Sequence, residues 1–313
     1  MENKIWELIN NSQKILILTH ERPDGDAVGS SLAMSEALTN LGKNVTVVMQ
    51  KVPKTYEFLK GYRDIVPTTS EKFDLGIVLD CSTRERIGQL TDLTTNCQHI
   101  VCLDHHVINS GYADINYIDH TASSCCQIVY YFLKQFNQPI PKTIGEAILV
   151  GVLTDTSGYA NSNVDTKTFE LTTDLVNQGI DFYQIYSRVL RFKTQTQFLL
   201  QQIATSRLGF YESGKIAFTY LTQEDLVNNH AEVGDHEGIV DIGRNISGVE
   251  VSVFIREDNG YHVSLRSNGQ VNVNEIASKF NGGGHIMAAG CIIDKSFKET
   301  KELLLNEIKK KLG

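Results

Sequence analysis

Between residues 20 and 26 the chain reads His20-Glu21-Arg22-Pro23-Asp24-Gly25-Asp26, one imidazole and two carboxylates within seven residues. Pro23 and Gly25 keep such a turn irregular, which lets His20, Asp24 and Asp26 converge on one centre instead of lying along a helix face. A plainer reading of the same stretch is a strand-to-helix turn in which Asp26 caps a helix beginning near Ala27. Further along come Asp80, the triplet Asp104-His105-His106, and Asp155. Taken together, His20, Asp24, Asp26, Asp80, His105, His106 and Asp155 are imidazoles and carboxylates without a thiolate, a ligand mix suited to Mn²⁺ or a similar divalent ion. Four carboxylates carry four negative charges when ionised, which two divalent cations would cancel. Two ions about 3.5–4 Å apart can activate water and stabilise both the attacking and leaving oxygens of a phosphoryl displacement, so hydrolysis at phosphorus is the expected chemistry.

These residues follow apolar runs. Ile15–Leu18 precedes His20, Leu75–Leu79 precedes Asp80, and Ile100–Leu103 precedes Asp104. Residues leaving the carboxyl ends of strands in an open α/β sheet line the crevice where ligands bind, and three such deliveries of Asp and His are poorly explained by chance. With helical spacing over 27–41, 125–137 and 143–153 and a strand at 44–48, the pattern predicts an α/β, doubly wound, mostly parallel sheet over residues 1–185. Residues 186–204 are polar and helix-prone and read as a helical linker. Period-2 strands at 216–220, 249–254 and 261–265, with turns at 258–260 and 267–269, predict a smaller α+β domain over 205–313. Within it Gly282-Gly283-Gly284-His285 reads as a glycine-rich loop ahead of a helix at 286–289. Lys309–Lys311 reads as a solvated helix end.

The formal net charge of −8 weighs against binding long nucleic acid through many phosphate contacts, while leaving room for a small anionic substrate in a local pocket. No apolar run approaches the roughly 20 residues that cross a bilayer. The N-terminus carries no signal-peptide pattern. Six cysteines without a C-x-x-C pair, two of them adjacent at 125 and 126, argue for reduced thiols and a cytoplasmic compartment.

The H-x-x-x-D-x-D stretch, Asp80, the Asp104-His105-His106 triplet and Asp155 resemble the four motifs of the DHH phosphoesterase superfamily. Gly282–His285 and the preceding Ser264-Leu265-Arg266-Ser267 resemble its DHH-associated domain. The resemblance implies that His20 and Asp24 hold one metal, that Asp26, His105 and Asp155 hold the other, and that Asp80 bridges them. It implies a substrate-facing His106, acting as a phosphate ligand or proton donor to the leaving oxygen, a task suited to imidazole near neutral pH. Asp104 would orient an imidazole. Arg84 reads equally as a phosphate contact or as a surface salt bridge. Arg266, Ser267 and the amides of Gly282, Gly283 and Gly284, with His285, would bind substrate from the second domain.

Among superfamily members the chain looks most like the short two-domain NrnA type, the nanoRNases. The expected activity is therefore hydrolysis of oligoribonucleotides of two to five residues and dephosphorylation of 3′-phosphoadenosine 5′-phosphate, with two divalent cations, Mn²⁺ first among them. A homodimer would be compatible with such a chain. The alternatives are a soluble cyclic- or linear-dinucleotide phosphodiesterase and, from a different class, a metal-stabilised nucleotide-binding regulator without turnover. Metals on one domain and phosphate-binding residues on the other would favour short substrates.

Overall fold

The computed structural model describes residues 1–232, 234–258 and 260–312. It divides into two compact units, Met1–Phe192 and Lys193–Gly313.

In the first unit a helix α1 (Glu2–Asn11) precedes β1 (Lys14–Leu18), α2 (Gly25–Asn40), β2 (Asn44–Val47), β3 (Phe73–Leu79), β4 (Cys97–Asp104) and β5 (Ile115–Ile118). Then come α3 (Cys125–Gln135), α4 (Lys142–Asp155), α5 (Thr166–Asn177) and α6 (Phe182–Tyr186). The five strands form one parallel sheet in the order β2-β1-β3-β4-β5. The order reverses at β1, so the gap between the carboxyl ends of β1 and β3 is the switch point where open α/β sheets bind ligands.

Alternation along the strands sends side chains to both faces. Ile15, Ile17, Leu75, Ile77, Leu79, Val101 and Leu103 pack in the larger core with α1 to α4. Leu16, Leu18 and Val78 pack on the other face with Ile87, Leu90 and Leu93, which come from 3₁₀ turns over 84–96. The tightest packing is around α4, where glycines let backbones approach. A Cβ on Gly29 would meet the carbonyl oxygen of Ala147 at 2.4 Å, and one on Gly151 would meet Cys126 Sγ at 2.3 Å and Asp26 Oδ1 at 2.5 Å. Contacts this short force neighbouring atoms to move, so α2, α3 and α4 keep their spacing only with glycine at those positions.

The second unit opens with α7 (Gln195–Ser206), which covers most of the stretch expected to be a connector. Its Leu200 and Ala204 are buried against Leu221, Ile239 and Phe254. Next are β6 (Gly209–Tyr211), β7 (Ile216–Leu221), α8 (Gln223–Asn228), α9 (Ile239–Arg244), β8 (Val251–Glu257), β9 (Tyr261–Ser267) and α10 (Val273–Ser278). The unit ends with β10 (Gly283–Gly284), β11 (Ala288–Ile293) and α11 (Phe297–Leu312), the last carrying Lys309–Lys311 in its final turn. The mixed sheet runs β10-β11-β9-β8-β7-β6, parallel only between β7 and β8.

The expectation of a helix at 286–289 is corrected here. Residues 288–293 are β11, paired with β9 from Ala288↔Arg266 to Ile293↔Tyr261. Ile-Met-Ala-Ala favours a helix by local propensity, but pairing with β9 and β10 and the alternating burial of Ala289, Cys291 and Ile293 outweigh it. The turn expected at 258–260 contains Asn259, which lies outside the described residues. No helix among the described residues is long and apolar enough to cross a membrane.

Candidate metal centre

Strand register assembles the site. Leu18 pairs with Val78, and Val78 with Cys102, so two residues further along each strand His20, Asp80 and Asp104 leave the sheet at one level. His105 and His106 follow directly. Asp80 takes a positive φ of 54°, uncommon outside glycine and asparagine, which turns its carboxylate at the strand end. Asp24 is the N-cap of α2, its Oδ1 accepting from the amides of Asp26 and Ala27. The alternative in which Asp26 caps that helix is thereby replaced: the helix starts at Gly25. Asp26 instead accepts from the Cys125 and Cys126 amides at 2.6 and 2.9 Å, at the N-terminus of α3. Asp155 closes α4, its carbonyl held by Asn161 and Asn163 side chains at 3.1 and 3.3 Å.

His20, Asp24 and Asp80 form one possible ligand group, Asp26, His105 and Asp155 a second, and Asp80, Asp104 and His106 a third, each with donor atoms within 4.8 Å of one another. His20 Nε2 lies 3.6 Å from Asp80 Oδ2. His105 Nε2 lies 3.5 Å from Asp80 Oδ1, 3.3 Å from Asp155 Oδ2 and 3.8 Å from Asp26 Oδ2. The other nitrogen of His105, Nδ1, is 3.3 Å from the Ala122 carbonyl, a contact that aims Nε2 at the carboxylates. Asp80 Oδ1 is buried with no hydrogen-bond partner. A buried, unpartnered carboxylate oxygen among imidazoles and acids fits a divalent cation, so these buried groups could hold metal. Cys125 and Cys126 lie beside Asp26, but their thiols point to backbone carbonyls, Cys125 Sγ to Leu103 at 3.3 Å and Cys126 Sγ to Asp26 and Ala147 at 3.7 and 3.8 Å, and burial raises both well above their ordinary range.

The electrostatics are those of a crowded acid cluster. Burial pushes the Asp26 carboxyl up to about 7, with Asp80 adding to the rise and His105 opposing it. Burial also lifts Asp155 well above the usual carboxylate range against the pull of His105. Asp80 goes the other way: burial would raise it, but the imidazoles of His105, His20 and His106 hold it well below. Burial works against a charged His105, and the carboxylates of Asp155, Asp80 and Asp26 outweigh it, raising that imidazole well above its ordinary range.

Asp104 and His106 make a close pair beside Asp80, whose Oδ1 lies 3.6 Å from His106 Nδ1. His106 Nδ1 is 2.7 Å from Asp104 Oδ1, and Asn109 donates to the other oxygen at 2.6 Å. The far side of the ring meets Arg86, whose Nη1 is 3.1 Å from His106 Nε2. Arg86 escaped the sequence reading, which weighed Arg84; the signal available was only a second arginine two positions on. Arg84 itself donates to Thr94 Oγ1 at 2.7 Å.

In the second unit Arg266 lies on β9 with its Nε 3.7 Å from Asp241, and Ser267 is buried, its hydroxyl donating to Glu250 at 2.8 Å. The Gly282 amide donates to the Ala277 carbonyl, so it is engaged within the C-terminal turn of α10. Gly282 and Gly284 lack room for a side chain, since a Cβ would fall 2.2 Å from Gly290 O and 2.4 Å from Ala288 O respectively. At Gly283 the nearest atom to such a Cβ is Asn274 Oδ1, at 3.9 Å. His285 follows β10 and its amide donates to Ala288 O at 2.7 Å.

Comparison with known proteins finds relatives over nearly the whole chain. The chain is 28% identical to the bifunctional oligoribonuclease and PAP phosphatase NrnA of Thermus thermophilus, over 98% of this chain and 96% of that protein. It is also 28% identical to the protein of the same name from Bacillus subtilis, over 94% and 93%. The crystal structure of an exopolyphosphatase-related protein from Bacteroides fragilis superposes with a TM-score of 0.90 and 27% identity, covering 99% of this chain and 95% of that one. Residues 14–152 match the DHH family, N-terminal domain, residues 213–313 match the DHHA1 domain, and the chain belongs to the DHH family of phosphoesterases.

Proposed function

We propose that the protein is a dinuclear-metal phosphoesterase that hydrolyses oligoribonucleotides of two to five residues to mononucleotides and dephosphorylates 3′-phosphoadenosine 5′-phosphate to AMP. The observation that carries this reading is Asp80, whose two oxygens face two different histidines at 3.6 and 3.5 Å, each histidine belonging to its own ligand group. His20, Asp24 and Asp80 would hold one cation, and Asp26, His105 and Asp155 with Asp80 the other; Mn²⁺ suits this oxygen and nitrogen set. When bound, such cations supply Lewis-acid charge that offsets the negative charge developing at phosphorus and ease the deprotonation of water. Asp104 fixes the His106 ring through Nδ1, and Nε2, which Arg86 Nη1 contacts at 3.1 Å, would bond a phosphate oxygen or serve the leaving oxygen once substrate draws the guanidinium away. The activities named for the Thermus and Bacillus relatives support the same substrates.

The second unit is the proposed phosphate-binding part, through Arg266, Gly283, Gly284 and His285; Gly282, whose amide donates to Ala277, and Ser267, whose amide and hydroxyl donate to Met287 and Glu250, support it from within the fold. Gly283 supports this, because nothing within its own unit requires glycine there, whereas close approach of a ligand would. A net charge of −8 offers the extra phosphates of a long strand little attraction, so affinity should stop rising after a few nucleotides. Six free cysteines fit a cytoplasmic setting.

The test is incubation with Mn²⁺ and a panel of dinucleotides, pentanucleotides, a 24-mer, cyclic dinucleotides and 3′-phosphoadenosine 5′-phosphate, followed by product separation. Two- to five-residue RNAs and the bisphosphate should be consumed far faster than the 24-mer, and chelator should stop the reaction. Equal rates on 3-mers and 24-mers would remove the short-substrate reading. Turnover of cyclic dinucleotides alone would replace it with a dinucleotide phosphodiesterase.

A further inference from the structure

Arg86 stands beside the acid cluster without being part of it. It lies six residues beyond Asp80, in the segment that runs back from β3, and its own carbonyl accepts the Glu21 amide at 2.8 Å. That bond ties the segment to the residue after His20. Gly88, at φ 68°, strengthens the junction, since a Cβ there would collide with the Glu21 side chain at 2.4 Å. The Arg86 guanidinium is thereby fixed next to the ligand groups. Through Nη1 it reaches Ser82 Oγ at 3.2 Å and His106 Nε2 at 3.1 Å, and the same imidazole lies 3.6 Å from Asp80 Oδ1 through Nδ1. Guanidinium only donates, so His106 Nε2 accepts from it and Nδ1–H donates to Asp104. The two contacts of Arg86 are to a hydroxyl and an imidazole; among the described residues none of its contacts is to a carboxylate. A half-buried arginine with its Nε and Nη2 donors unused, one imidazole away from the metal ligands, presents a fork shaped for an oxyanion.

We propose that Arg86 is a phosphate-binding residue of this site, its guanidinium donating to non-bridging oxygens of the phosphoryl group that is cleaved. This rests on the phosphoesterase reading and deepens it. A terminal phosphomonoester carries close to two negative charges near neutral pH, whereas an internal phosphodiester carries one, so Arg86 favours the monoester substrate.

Three variants test it: Arg86→Gln, Arg86→Lys and Arg86→Ala, with Arg84→Ala as the control whose side chain contacts Thr94. Each is loaded with Mn²⁺ and assayed on 3′-phosphoadenosine 5′-phosphate and on a diribonucleotide, with inorganic phosphate as competitive inhibitor and metal content measured directly. Arg86→Gln should keep its metal and lower kcat/KM for the bisphosphate about 10- to 100-fold, as expected for a lost charged hydrogen bond. The loss on the diribonucleotide should be smaller, phosphate inhibition should weaken in parallel, and Arg86→Lys should recover only part. Added guanidinium should partly restore Arg86→Ala, which a merely structural role would not allow. Unchanged phosphate inhibition in Arg86→Gln overturns the proposal, as does bound metal falling in step with activity, because Arg86 would then be a strut for the His20 turn. If the wild type turns over neither substrate, the phosphoesterase reading fails; phosphate binding measured by calorimetry on wild type and Arg86→Gln then decides the Arg86 assignment separately.

Discussion

His106 Nδ1 lies 2.7 Å from Asp104 Oδ1, two residues back along the same chain, while Asn109 occupies the other oxygen of that carboxylate. Burial would raise the Asp104 carboxyl, but the hydrogen bond and charge of His106 lower it below its ordinary range, so the acid stays ionised and the ring stays in one orientation. His106→Ala should therefore retain its metals and lose rate on the order of 10²- to 10⁴-fold, the range for removal of a proton-transfer group. Asp104→Asn should also keep its metals and lower kcat more than it raises KM. Elemental analysis with steady-state kinetics checks both. Loss of metal in His106→Ala would make that histidine a ligand.

Asp80→Asn should abolish hydrolysis and lower bound metal, because it removes charge from a carboxylate that faces both the His20 and the His105 ligand groups. Asparagine tolerates the positive φ of 54°, so the variant should fold, and Asp80→Ala should fold less stably with the same catalytic loss. Metal counting and thermal denaturation separate the two effects. Wild-type turnover with two bound ions would sink the shared role of Asp80.

Gly151→Ala should destabilise by about 1–3 kcal/mol through overpacking, and should also weaken metal binding. The added methyl meets Cys126 Sγ and Asp26 Oδ1 together, so any relief moves a proposed ligand. A methyl on Gly179, which has nothing within 4 Å but a φ of +87°, would strain only the backbone and should leave metal affinity alone. Metal titrations of both variants provide the comparison.

The raised acids give a pH dependence with a definite sign. Asp26 titrates near 7 in the fold against an ordinary 3.8, so between those values the folded chain binds more protons than the unfolded one. Stability of chelator-treated protein should therefore fall as pH rises through that window, and the raised His105 acts in the same direction. Mn²⁺ requires the ionised carboxylate, so its binding should release more protons at pH 6 than at pH 8 and should tighten between them. Chelated protein that melts higher at pH 8 than at pH 5 would contradict the assignment.

Arg266→Ala and His285→Ala should raise KM with metal content intact, as for lost ground-state contacts. Kinetics on a trinucleotide with parallel metal analysis checks this, and unchanged KM in both would remove these residues from substrate binding.

By itself the sequence determined the chemistry and its scaffold. Apolar runs ending in Asp or His name both the strands and the proposed ligands, because a strand buried on both faces has to be apolar until it leaves the sheet. His20, Asp80, Asp104 and His105 were legible in that way, and so was Asp155 at the end of an apolar helix. Where the local signal is short or ambiguous, only tertiary structure decided. Asp24 rather than Asp26 caps α2, because the amides of α3, about a hundred residues away, claim Asp26. Residues 288–293 are a strand because β9 lies beside them, although their composition suits a helix. Arg86 rather than Arg84 faces the site, because the turns of 84–96 fold back onto the residue that follows His20. Spacing along a chain carries periodicity, but it carries no information about which distant donor will reach a carboxylate first.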